Sequence, residues 1–145
     1  CALPILHATG FKPESKMGQF IREGSVTLQS EEEIVMEQKL FLQTLDKMDS
    51  YYINEHAVNL LLEVRGNLKT DKETMTATID RFLNLSSNEK LLFAIGRRLN
   101  VFFFLDDLQK PDLHKKAEEL LQRILRENPQ TDFSALCNYV RQSQI

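Results

Sequence analysis

Tryptophan is absent, cysteine occurs only as Cys1 and Cys137, and glycine and proline are used five and four times. Two thiols at opposite ends of a chain make no disulfide framework, so stability must come from an apolar core, which 145 residues suffice to build as one domain. With so little glycine and proline and no low-complexity tract, disorder is expected only at the termini. No apolar run approaches the ~20 residues that cross a bilayer, the longest being broken by Arg97, Arg98 and Asn100. A net charge of −3 gives no general attraction to nucleic acid or to an anionic membrane. The absences extend to chemistry. There is no glycine-rich phosphate loop, no CxxC, no GxSxG and no HExxH, and His7, His56 and His114 stand in three separate segments without ligand spacing. No metal, no cofactor and no catalysis are therefore expected, and Cys137 reads as a small core residue on the inner stripe of its helix.

Helix signals are what the sequence has in quantity. Residues 1–30, punctuated by Pro4, Gly10, Pro13, Gly18 and Gly24, read as an irregular lead-in with one short helix near Glu14–Arg22. Residues 31–145 read as a single α-helical domain. Ser30-Glu31-Glu32-Glu33 is a capping box, followed by Ile34, Phe41, Leu45 and Met48 at helical spacing. A second helix is predicted over Asn54–Arg65, apolar on most of its circumference and stopped at Gly66. A third starts at Thr70 or Asp71, with Met75, Ile79, Phe82 and Leu83 inside. Ser86–Glu89, a second capping box, opens a long fourth helix that runs through Phe102–Phe104. Pro111 starts a fifth, with Leu113, Ala117, Leu120, Leu121, Ile124 and Leu125 on one face, and a last helix covers Asp132–Arg141. No segment alternates with period two. The expected class is all-α, six to seven helices packed as helical hairpins in an α-solenoid-like array or an orthogonal bundle.

Within the predicted fourth helix, "GRRLNVFFFLDD" sets two arginines inside an apolar stretch. A helix apolar on all sides is either wrapped by other helices or offers a face to a partner. Phe102, Phe103 and Phe104 thus divide between two core faces, or one of them lines a groove. Arg97 and Arg98 either pair with acids of a neighbouring helix, such as Glu63 or Asp80, or anchor an acidic partner segment. Gly96, costly within a helix, suggests a second backbone passing close. Charge is uneven along the chain. Residues 31–89 hold twelve acids and six bases, and residues 90–126 hold eight bases and five acids. Such asymmetry orients a partner or draws the two halves together.

The stretch from Arg98 to Pro129 resembles one tetratricopeptide repeat. Val101, Phe104 and Leu108 stand at that family's helix A packing positions, Ala117 and Leu121 at its helix B positions, and Pro129 at its terminal proline. "LRENPQTDFSAL" is similar to the junction between successive repeats. Leu105 and Ile124 depart from the small residues usual at their places, and no second repeat aligns upstream. The resemblance implies a helical-hairpin scaffold and assigns no peptide-binding residue.

These readings converge on a non-catalytic helical protein–protein interaction domain, part of a larger intracellular protein, cytoplasmic or nuclear. Its partner would be another protein or peptide segment, with acidic segments among the candidates, held in an apolar groove flanked by basic residues. The residues expected to bind it are Arg97, Arg98, Phe102, Phe103, Lys115, Lys116 and Arg123. A first alternative is nucleic-acid binding through the basic face of the helix over 112–126, which the lack of tryptophan and the scattering of Tyr51, Tyr52 and Tyr139 disfavour. A second, suggested by a first residue that is Cys1 and not methionine, is a secreted helical cytokine-like factor.

Overall fold

The two capping boxes set helix starts where the sequence places them. In the structure, a computed structural model describing residues 11–45, 48–56, 59–127, 129, 136, 137 and 140, α1 spans Lys16–Arg22 and α2 spans Glu31–Thr44. A two-stranded antiparallel ribbon follows, β1 at Tyr51–Tyr52 and β2 at Gly66–Asn67. Then come α3 at Lys72–Leu83, α4 at Ser87–Arg98, a 3₁₀ helix at Leu105–Gln109 and α5 at Pro111–Glu127. In both boxes the serine oxygen accepts the N3 amide and the N3 glutamate accepts the serine amide, Ser30 with Glu33 and Ser86 with Glu89. The molecule is mostly helical, with five α-helices among the described residues where six to seven were expected. The last predicted helix lies largely outside the described residues; of it, Leu136, Cys137 and Val140 are buried.

α2 packs on α3, and α4 packs on α5 and the 3₁₀ helix. Three rings centre the core: Phe93 lies 5.9 Å from Phe82 and is stacked at 6.1 Å on Phe102. Met75, Ile79 and Phe82 of α3 and Ala117 and Leu121 of α5 face inward as their spacing predicts. On α2 the buried stripe is Glu31, Val35, Gln38 and Leu42, about one residue round from the predicted one, with Phe41, Leu45 and Met48 packed at its edge. Met36 and Leu40 are consequently left exposed.

The helix predicted over 54–65 does not form. Ala57 and Val58 lie outside the described residues, and the others are irregular. Two buried asparagines explain the failure, because their side chains bond to backbone and to each other in place of an i→i−4 ladder. Asn54 Nδ2 donates to the Leu61 carbonyl at 2.6 Å and Asn59 Nδ2 to Asn54 Oδ1 at 2.5 Å. Leu60, Leu61 and Val64 still reach the core, but from a loop. Gly66, expected as a helix stop, sits in β2 against Asp71, whose Oδ2 would lie 2.7 Å from any added Cβ. That aspartate accepts the Asn67 amide at 2.8 Å and fastens the ribbon to α3.

The predicted fourth helix is also cut short. α4 ends at Arg98 because Asn100 turns left-handed at φ 57°. The Asn100 amide donates to the Arg97 carbonyl at 3.2 Å and the Val101 amide to the Gly96 carbonyl at 2.8 Å, the paired bonds of a Schellman motif with asparagine in place of glycine. Residues 101–104 therefore leave the helix and run back over it. What approaches Gly96 is the Phe102 ring and not a second backbone, since a Cβ there would overlap that ring. Of the positions that carry the tetratricopeptide resemblance, Ala117 and Leu121 lie on α5, whereas Val101, Phe104 and Leu108 lie on this bend and the 3₁₀ helix. Among the described residues no helix is long and apolar enough to cross a membrane.

Candidate functional site

Once the chain leaves α4, the three phenylalanines separate. Phe102 is fully buried over Gly96 and against Phe93, while Phe103 and Phe104 are 48% and 46% exposed. The backbone carrying the exposed pair is fixed by two carboxylates. Asp107 Oδ2 accepts the Phe103 amide at 2.7 Å and the Phe104 amide at 2.9 Å, and Asp107 Oδ1 accepts Lys110 Nζ at 2.7 Å. Glu63, from the loop before β2, accepts the Leu105 amide at 2.6 Å. Desolvation pushes the Asp107 carboxyl up, but the Lys110 bond and the Phe104 and Phe103 amides outweigh it and hold the group below its ordinary value.

The neighbouring arginines have different surroundings. Arg98 is 2% exposed and meets Glu31 of α2, its Nε at 3.2 Å and a terminal nitrogen at 2.6 Å from the same Oε1. The partner expected from sequence was Glu63 or Asp80, but Asp80 is held by Lys39 at 2.5 Å. Arg97 is 5% exposed, with its guanidinium carbon 6.0 Å from the centre of the Phe103 ring. Burial lowers the Arg97 pKa, the adjacent Arg98 lowers it further, and Glu63 opposes both. Arg98 and Phe102 are thus core residues and leave the set of surface groups. Arg97 and Phe103 are brought together, one covered and the other open.

Lys115, Lys116 and Arg123 are exposed on α5, a different element. Their helix carries Lys115, Lys116, Arg123 and Arg126 against Asp112, Glu118, Glu119 and Glu127, so its outer face alternates in sign. A surface of that kind has no excess of positive charge to displace counterions from a phosphate backbone. His114, at the start of α5, places Nε2 3.4 Å from Glu118 and Nδ1 3.0 Å from the Leu108 carbonyl. Among the described residues no group of three or more His, Cys, Asp or Glu is arranged to hold a metal ion.

Sequence reasoning left Phe104 out of the expected binding residues, gave Glu63 only as a partner for the arginines, and missed Asp107 together with a hollow between α3 and the 3₁₀ helix. That hollow is lined by Leu85, Leu105 and Leu108 and by the polar Asp80, Arg81 and Gln109. Arg81 is paired there with Asp106. The signal for Asp107 was available, a carboxylate three residues after an aromatic where a turn could be capped; Glu63 lies 42 residues from Leu105 and left none. Other exposed large apolar residues among the described ones are Met17 on α1, Met36 and Leu40 on α2, and Tyr51 and Ile53 at β1. Compared with family models, with curated proteins and with solved structures, the chain matches none.

Proposed function

We propose that this chain is a non-catalytic protein-interaction domain that receives a partner segment on Phe103 and Phe104 and in the adjoining hollow lined by Leu85, Leu105 and Leu108. One observation carries the reading. Two adjacent aromatic rings are half exposed although Asp107 and Glu63 bind all three backbone amides of the Phe103–Leu105 segment. Exposed rings on a fixed backbone are preorganised anchors, because little ordering entropy remains to be lost on binding. The charges nearby are already matched, Arg81 with Asp106 and Lys110 with Asp107, which favours an apolar contact over an electrostatic one. Arg97, beneath the Phe103 ring, supports that ring and does not itself reach outward.

The test is affinity capture from cell extract with three baits: the wild type, a Phe103→Ala/Phe104→Ala variant, and a Lys115→Glu/Lys116→Glu variant. The phenylalanine variant should keep its helicity and lose the proteins enriched by the wild type, and the lysine variant should retain them. Partners that stay with the phenylalanine variant and leave the lysine variant would overturn the reading.

A further inference from the structure

Glu63 joins the loop before β2 to the segment that bears the exposed rings. Its Oε1 accepts the Leu105 amide at 2.6 Å, while Oε2 is buried with no hydrogen-bond partner among the described residues. The charged groups that act on it come from three elements: Arg97 on α4, Arg81 on α3 and Asp106 on the 3₁₀ helix, the last two paired with each other. We infer that Glu63 is a proton-operated latch, in which loss of its proton loosens the Phe103–Leu105 segment from the 59–65 loop and uptake of a proton fastens it.

The geometry supplies the reason. An ionised carboxylate with one buried oxygen unsatisfied gains hydration when the segment lifts, whereas a neutral carboxyl loses less by staying dry and still offers an acceptor to Leu105. Burial raises the Glu63 carboxyl above its ordinary value and outweighs the rest: the Leu105 amide and its own backbone amide oppose it, Asp106 reinforces it, and the cations Arg81 and Arg97 oppose it. The closed form therefore binds the proton more tightly than the open one, so opening is linked to proton release. Between the ordinary glutamate value of about 4.3 and the raised one, opening grows by up to tenfold per pH unit, then levels off. Asp107, held below its ordinary value, stays ionised over that range and keeps its grip on the Phe103 and Phe104 amides.

The inference rests on the proposed function only for its consequence, a pH-dependent presentation of Phe103 and Phe104. Its test needs no partner, so a failed latch and a missing partner are told apart. Amide hydrogen exchange of the whole chain, corrected for intrinsic rates, should show Leu105 protection falling as pH rises, with the core amide of Ile95 unaffected. In Glu63→Gln, whose side-chain oxygen keeps the Leu105 acceptor, the slope should vanish. A carboxyl carbon-13 titration of wild-type Glu63 should have its midpoint above that of an exposed glutamate, which keeps the idea testable should the variant fold poorly. Leu105 protection independent of pH, an unchanged slope in Glu63→Gln, or a midpoint at or below the ordinary value would each overturn the latch.

Discussion

Neighbours in sequence do unlike work here, and Phe102 and Phe103 make the contrast measurable. Phe102 is fully buried among core rings and should cost ~3 to 5 kcal/mol when cut to alanine. Phe103, about half exposed, should cost about 1 kcal/mol or less, because about half of its surface is in water already. Chemical denaturation of the two single variants checks the difference, and equal losses would mean that the exposed ring is a core residue after all. Asp107 gives a pH signature. Its pKa is depressed in the folded state, so its contribution is present above the ordinary aspartate value and disappears as pH falls through the lower folded value. The melting temperature of the wild type should therefore decline on acidification more steeply than that of Asp107→Asn, which has no such proton to take up.

Elements were legible wherever their signals were local. Ser30 with Glu33 and Ser86 with Glu89 are three residues apart and fix the starts of α2 and α4 by themselves. The segment over 54–65 misled because Leu60, Leu61 and Val64 are spaced as a helix would space them, while Asn54, with Asn59 bonded to it, captures the backbone only once the loop has closed. The end of α4 misled for the opposite reason, since the apolar residues on either side outweighed one asparagine. That asparagine decides the element. Asn100 stands at a φ of 57°, where glycine is freer than any side-chain-bearing residue. Asn100→Gly should be neutral or stabilising by a few tenths of a kcal/mol, and Asn100→Ala should destabilise by about 1 kcal/mol. Thermal melts of the pair, together with the wild type, decide it; a more stable alanine variant would mean that α4 can continue as the apolar pattern suggested.

Among the described residues, part of the uneven charge of the sequence is spent internally. Acids of the first half meet bases of the second at Glu31–Arg98 and Glu32–Lys90, so the asymmetry brings the halves together. Which acid meets which base was not legible, because nothing local marks partners so far apart. Removing one member of the buried pair, by Arg98→Met or Glu31→Leu, takes away the other's counter-charge and should cost ~3 to 5 kcal/mol, whereas changing both should restore most of the loss. The same pair bears on the order of assembly. Glu31 and Arg98 are 67 residues apart, whereas each capping box closes within four residues, so the loop entropy of joining them is met only after the local helices have formed. An interaction made late is absent from the transition state. In stopped-flow measurements Arg98→Met should leave the refolding limb of the chevron nearly unmoved and raise the unfolding limb by most of the lost stability. The Glu31–Arg98 contact is in that sense a clasp on the native state, setting how long the molecule stays folded more than how fast it gets there.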